Sequence, residues 1–223
     1  MSKENIEYSS EFDSICPYND EEAVAALDKV ADHPAVLALS GYFFPDKPFT
    51  YLRDALKSVK SIDEFQQLVM NQAVTWDIDN TMHNFSYSGI DNVINTKGRF
   101  LAMSNHRDII LDPAITQKIL FQNGLPMTEI CVGDNLIKQS KTVEKLLRSN
   151  RMITVIRGIS AREVYLSSQI LSKFIRSEIC SGKSSVWIAQ REGRTKNGLD
   201  VTEQGLLKMF DMSGTGDFLK DFK

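Results

Sequence analysis

One of only three histidines in the chain, His106, sits in the run Phe100-Leu-Ala-Met-Ser-Asn-His-Arg-Asp-Ile-Ile-Leu-Asp112. A neutral imidazole takes a proton from a hydroxyl near pH 7, which suits it to general-base work. Such a base needs a carboxylate to fix its tautomer and steady the imidazolium that forms. Asp108 and Asp112 are both within reach by sequence. Each also has a plainer reading. Asp112 directly precedes Pro113, where it would serve as a helix N-cap with proline at the first helical position. Asp108 reads as a turn residue, and His106 itself as a loop histidine bonded to the backbone. One carboxylate could both cap the helix and orient the base.

Two further concentrations of charge follow apolar runs. Arg157-Gly158 comes after Met152–Ile156, and Arg191-Glu-Gly-Arg-Thr-Lys196 comes after Val186–Ala189. A guanidinium is a planar fork that matches phosphate oxygens. Gly193 lets a ligand approach the backbone closely. The competing readings are a solvated charged turn for 191–196, and a surface or ion-pair role for Arg157. Cys16, Cys131 and Cys180 are far apart and show no paired spacing, so neither a metal site nor a disulfide framework is expected, and a reducing compartment is the default.

The elements that must position these residues are legible as alternating patterns. Residues 1–19 are polar and read as frayed. Asn19-Asp20 caps a helix to about Val30, His33-Pro34 breaks it, and a short apolar helix over Ala35–Leu39 is expected to stop near Gly41. Two helices follow at about 49–58 and 61–76, the second opened by a capping box, Ser61 with Glu64. From Phe85 the pattern suggests a strand pair or an irregular connection. Strands are expected at 99–104, 129–132, 152–156 and 185–189, with helices to about 123 and over 141–149 and 161–177. The fold class is α/β: a mixed, mostly parallel sheet flanked by helices. An N-terminal helical segment (1–84) precedes the α/β domain (85–223). Ligands bind such sheets beyond the carboxyl ends of the strands. His106 is therefore expected at the end of a central strand, with Arg157 and Arg194 converging on a pocket near it and Lys196 at the rim.

The 223 residues are 42% apolar and 25% charged, with a formal net charge of −3, so nothing draws the whole chain to nucleic acid or to an anionic bilayer. The opening MSKENIEYSSEFDS does not read as a signal peptide. The longest apolar stretch, Ala35–Phe44, is interrupted by Ser40-Gly41 and is shorter than the roughly 20 residues a bilayer span needs. A cytoplasmic location, or a peripheral one on the inner face of a membrane, is expected.

Taken in order, the three loops resemble the motif blocks of the bacterial glycerolphosphate and lysophosphatidate acyltransferases of phospholipid synthesis. The His106–Asp112 segment is similar to the first block, Ile156-Arg157-Gly158 to the second, and Trp187-Ile-Ala-Gln-Arg-Glu-Gly-Arg-Thr-Lys196 to the third. The resemblance covers about residues 85–210. It implies that His106 is the base and Asp112 its partner, and that Arg157 and Arg194 hold the acceptor's phosphate while Glu192 and Gly193 shape the acceptor site. It also implies no cofactor, only an acyl-CoA or acyl carrier protein thioester as co-substrate. There are two departures. The family's aspartate falls one residue earlier, on Leu111, and its fourth block, a strand carrying a proline, has no counterpart. The chain then reads as the front part of a longer protein. A helix stub at Phe218–Phe222 would lead to a missing strand beside the Glu192 loop, leaving an open edge there. A catalytically idle lipid- or phosphate-binding module of the same fold is the alternative. A phosphate-ester hydrolase would want a nucleophile or a metal cluster that the sequence does not offer.

Overall fold

The computed structural model describes residues 9–158 and 160–221. After a 3₁₀ turn at Ser10–Phe12 come helices α1 (Asp20–Ala31), α2 (Pro34–Phe43), α3 (Tyr51–Ser58) and α4 (Ile62–Phe65). A π-helical turn, Gln66–Met70, joins α4 to α5 (Asn71–Thr81), and α6 (Ile90–Ile94) follows. Strand β1 (Leu101–Ser104) then leads to α7 (Leu111–Gln122), β2 (Glu129–Gly133), α8 (Asp134–Ile137) and α9 (Lys141–Arg148). The remainder is β3 (Met152–Val155), α10 (Ala161–Cys180), β4 (Val186–Ala189), α11 (Gln204–Asp211) and α12 (Phe218–Asp221). The chain forms two compact units. Among the described residues, one takes Pro17–Val93 and Ile137–Met152, and the other takes 9–16, Ile94–Leu136 and 153–221. The expected division at 84/85 thus gives way to an interleaved one, with short segments of each unit drawn from the far side of that boundary.

In the helical unit, α1 buries Ala23, Ala26, Leu27 and Val30, a single stripe at helical spacing, and packs against α3 and α9. Its start is the expected one. The Asn19 side chain accepts from the Glu22 N–H, and the Glu22 carboxylate accepts from the Asn19 N–H. At Ser61 only half of the box forms: Ser61 Oγ accepts from the Glu64 N–H, but Glu64 Oε2 takes the N–H of Lys60. Helix α2 runs through Gly41 to Phe43 rather than stopping there. Ser40 is fully buried, and its hydroxyl accepts from the Leu52 N–H at 3.1 Å, so an inward-facing polar residue is satisfied without breaking the helix. Arg151, held at φ +57°, donates from Nε to Gln66 Oε1, and Gln66 Nε2 donates to Asn150 Oδ1.

The sheet is all-parallel, in the order β1-β4-β2-β3. Register sets Leu101 beside Val186 and Ser104 beside Ala189, and it sets Glu129 beside Val186 from the other side. Three expectations need correction here. First, β1 is an edge strand, half-buried where a buried central strand was expected, and Met103 is exposed. Second, β4 has neighbours on both sides, so the open edges of the sheet are β1 and β3 and no further strand could pair with β4. Third, residues 9–16 are not frayed: Ile15 and Cys16 are buried among Ile153, Phe174 and Ile188, and Ile15 C=O accepts from the Thr154 N–H. Phe12 meets Phe174 edge-on, with ring centroids 5.2 Å apart. The segment after Phe85 takes the irregular option, with α6 in place of a strand pair. Helix α12 covers the expected stub as far as Asp221, and Phe222 lies outside the described residues, as do 1–8 of the expected polar start.

Helix α10 packs on β4 and α11, and its inner face carries one costly group. Glu178 is 1% exposed, and its Oε2 has no hydrogen-bond partner among the described residues. Burial pushes its carboxyl pKa up, opposed only by Lys183 at 3.8 Å. A glutamate whose folded pKa is raised contributes most below its unfolded value, and that contribution is lost as pH rises through the folded value. Glu178→Gln is therefore expected to stabilise the protein at pH 7 by about 1 kcal/mol, or about 2–4 °C in Tm, and to flatten the fall in stability with rising pH. Thermal melts across pH 4–8 check it; equal slopes for both proteins would count against it.

Candidate functional site

Because the aligned strands end level, their following loops share one edge of the sheet. His106 lies two residues past Ser104, and Arg191 two past Ala189, residues that are themselves in register. His106 Nδ1 lies 3.1 Å from Asp112 Oδ2. The two side chains are 12% and 19% exposed, so water reaches the pair without surrounding it. A carboxylate only accepts, so Nδ1 carries the proton, and in the neutral ring Nε2 is the basic nitrogen.

The same Asp112 oxygen accepts the backbone N–H groups of Arg107 (2.7 Å) and Asp108 (3.0 Å). It can do so because Asp112 is the second residue of α7, where side chains lean back toward the helix start. Asp108 holds the turn that leads into the helix: its Oδ1 accepts from the N–H groups of Ile110 at 2.9 Å and Leu111 at 2.8 Å. The Leu111 N–H chiefly, then that of Ile110, with Arg194 and His106 nearby, holds the Asp108 carboxyl below the usual range against the effect of burial. Asp112 thus meets the His106 ring while Asp108 meets the N–H groups that lead into α7, with five residues between the histidine and Asp112. Pro113 comes third in the helix rather than first, still within the turn whose N–H groups have no intrahelical acceptor.

From the other end of the sheet, Arg157 follows β3 and reaches Glu192 on the β4 loop, Nη1 to Oε1 at 2.6 Å. Its path crosses β2 at Gly133. A Cβ there would lie 2.9 Å from Arg157 Nη2 and 2.6 Å from Asn135 Oδ1, so only glycine leaves room for the guanidinium. The Arg157 backbone N–H donates to Asp134 Oδ1 at 3.3 Å. Gly193 holds φ +68°, a conformation open to glycine, and Arg194, beside it, is exposed and acts on Asp108. Lys196 is likewise exposed.

The structure thus joins His106 to Asp112 and Arg157 to Glu192. Arg194 acts on Asp108, and Arg157 pairs with Glu192. Gly133 went unrecognised because its spacing carries no motif; the signal available was a glycine closing an apolar strand just before Asp-Asn. Among the described residues no group of His, Cys, Asp and Glu could hold a metal ion, and no helix is long and apolar enough to cross a membrane. Compared with known proteins, the chain matches no family model and no curated protein.

Proposed function

We propose that the α/β unit is a glycerolipid O-acyltransferase, moving a fatty acyl group from a thioester of coenzyme A or acyl carrier protein to a hydroxyl of glycerol-3-phosphate or a lysophospholipid. The observation that carries this reading is the His106–Asp112 pair at the end of β1, level with a loop that carries Arg191, Arg194 and Lys196. In the reaction, His106 Nε2 takes the proton as the acceptor hydroxyl attacks the thioester carbonyl. The tetrahedral adduct collapses, the C–S bond breaks, and the imidazolium returns the proton to the departing thiolate. Asp112 steadies the imidazolium between those two moments. Arg157 and Arg194 hold the acceptor phosphate, and Glu192 and Gly193 shape its approach. The Arg157–Glu192 pair is 40% and 71% exposed, and pairs of that kind contribute about 0–1 kcal/mol, so a phosphate dianion competes for Arg157 at little cost. The work belongs to phospholipid synthesis, in the cytoplasm or peripherally on the inner face of the cell membrane.

The test is thiol release from palmitoyl-CoA or palmitoyl-acyl carrier protein with glycerol-3-phosphate or lysophosphatidate, with the acylated product identified by mass. Arg194→Ala is expected to raise the acceptor KM about 10–100-fold and leave donor KM within about twofold, since it removes one charge-assisted contact to the acceptor. Lysophosphatidate binding without acyl transfer from any donor would return the idle binding module.

A further inference from the structure

Behind the base, the first residue after β4 makes more directed contacts than its neighbours. Gln190 is 8% exposed. Its backbone N–H donates to Ser104 C=O at 2.9 Å, and its own C=O accepts from the Glu203 N–H at 3.0 Å, closing the excursion 191–202 at its base. Its side chain is satisfied at both ends. Nε2 donates to Asn105 Oδ1 at 3.0 Å and to Asp200 Oδ1 at 2.7 Å, and Oε1 accepts from the Thr202 hydroxyl at 2.9 Å. A carboxylate cannot donate, so the amide has one orientation only.

Asp200 passes this anchorage forward. Its side chain is 5% exposed and its Oδ2 lies 3.5 Å from Arg107 Nε. The Gln190 amide chiefly, with smaller help from Thr195, Arg107 and the His106 backbone N–H, keeps its carboxyl below the usual range while burial opposes. The same excursion grips the His106 loop twice more: the Thr195 N–H donates to His106 C=O at 2.7 Å, and Arg107 Nη2 to Gly198 C=O at 3.4 Å. Asn105, His106 and Arg107 are thus each tied to residues 190–200, and none of these ties touches the reacting face of the imidazole.

We propose that Gln190 and Asp200 are positioning residues for His106, fixing the backbone of the base from behind as Asp112 fixes its ring from the side. The inference rests on reading His106 as the base. Asp112 alone sets the tautomer, but a ring on a loosened loop keeps its tautomer and loses its place. A displacement of about 1 Å can lower a rate about 10²-fold.

The experiment compares Gln190→Ala and Asp200→Asn with the parent protein by turnover and by ¹⁵N NMR of the histidine rings. Asp200→Asn retains an acceptor for Gln190 and removes only the charge facing Arg107. Circular dichroism establishes that each variant is folded, and if Gln190→Ala is not, Asp200→Asn carries the comparison. Expected are a fall in kcat of about 10–100-fold for Gln190→Ala, a smaller fall for Asp200→Asn, and donor and acceptor KM within about twofold. The ring Nδ1–H resonance of His106 should broaden or shift in both. A folded variant with parental ring signals and parental kcat overturns the proposal. The ring signal needs no turnover. A perturbed His106 in a protein that transfers no acyl group sinks the acyltransferase reading and leaves the positioning network standing.

Discussion

His106→Ala is expected to lower kcat for acyl transfer by about 10²–10⁴-fold, the range in which a positioned general base contributes. KM for both substrates should change little, because the imidazole acts on the proton that moves in the transition state and holds neither substrate. The variant should fold normally: among the described residues the ring bonds to Asp112, and that carboxylate keeps the N–H groups of Arg107 and Asp108 when the ring is gone. Steady-state kinetics with glycerol-3-phosphate and a palmitoyl thioester, alongside a thermal melt, separate these quantities. A folded variant that keeps more than about a tenth of the activity would remove His106 from the mechanism.

Asp112→Asn should cost nearly as much, for a different reason. The asparagine carbonyl can still accept from the backbone, so the turn survives, but its amide can present a donor to Nδ1. The neutral ring then places its proton on Nε2, where the acceptor hydroxyl needs a lone pair. Loss of the negative charge also withdraws support from the imidazolium that forms as the proton moves. Expected is a kcat about 10²–10⁴-fold lower, read by steady-state kinetics. Asp112→Ala should lose similar activity and stability as well, because three hydrogen bonds converge on the oxygen it removes. If Asp112→Asn keeps full activity, the carboxylate serves the turn alone.

What the sequence disclosed and what it withheld follow from the range of the forces involved. Asn19 with Glu22 and the apolar stripe of α1 are local, and so are the apolar runs of β2 and β4 ended by charge; each was readable in place. Both aspartates near His106 were visible as candidates. Choosing between them depended on where α7 begins, a matter of one residue that sequence patterns do not resolve. Strand order was hidden because pairing β1 with β4 is decided by contacts far apart in the chain. Ile15 and Cys16 look like part of a polar tail until a core is present to receive them. Gln190 carries no motif, and its importance lies wholly in the five partners that the fold brings to it.

The order β1-β4-β2-β3 also bears on how the protein is made. Both β1 and β2 pair with β4, and Asn105 is 85 residues from the glutamine that anchors it. On a ribosome adding about 5–20 residues per second, the first strand waits several seconds for its partner, and the second only somewhat less. Until then the nascent chain displays two apolar strands with open backbones, a state that invites chaperones and competes with aggregation. Pairing across so long a separation is also slow to nucleate, because loop closure must come before any contact can reward it. When β4 does arrive, it joins two strands and brings in the residues that grip the histidine loop. Completion of the sheet and fixing of the His106 loop are then one late event in biogenesis, and a nascent chain halted before Val186 would have neither.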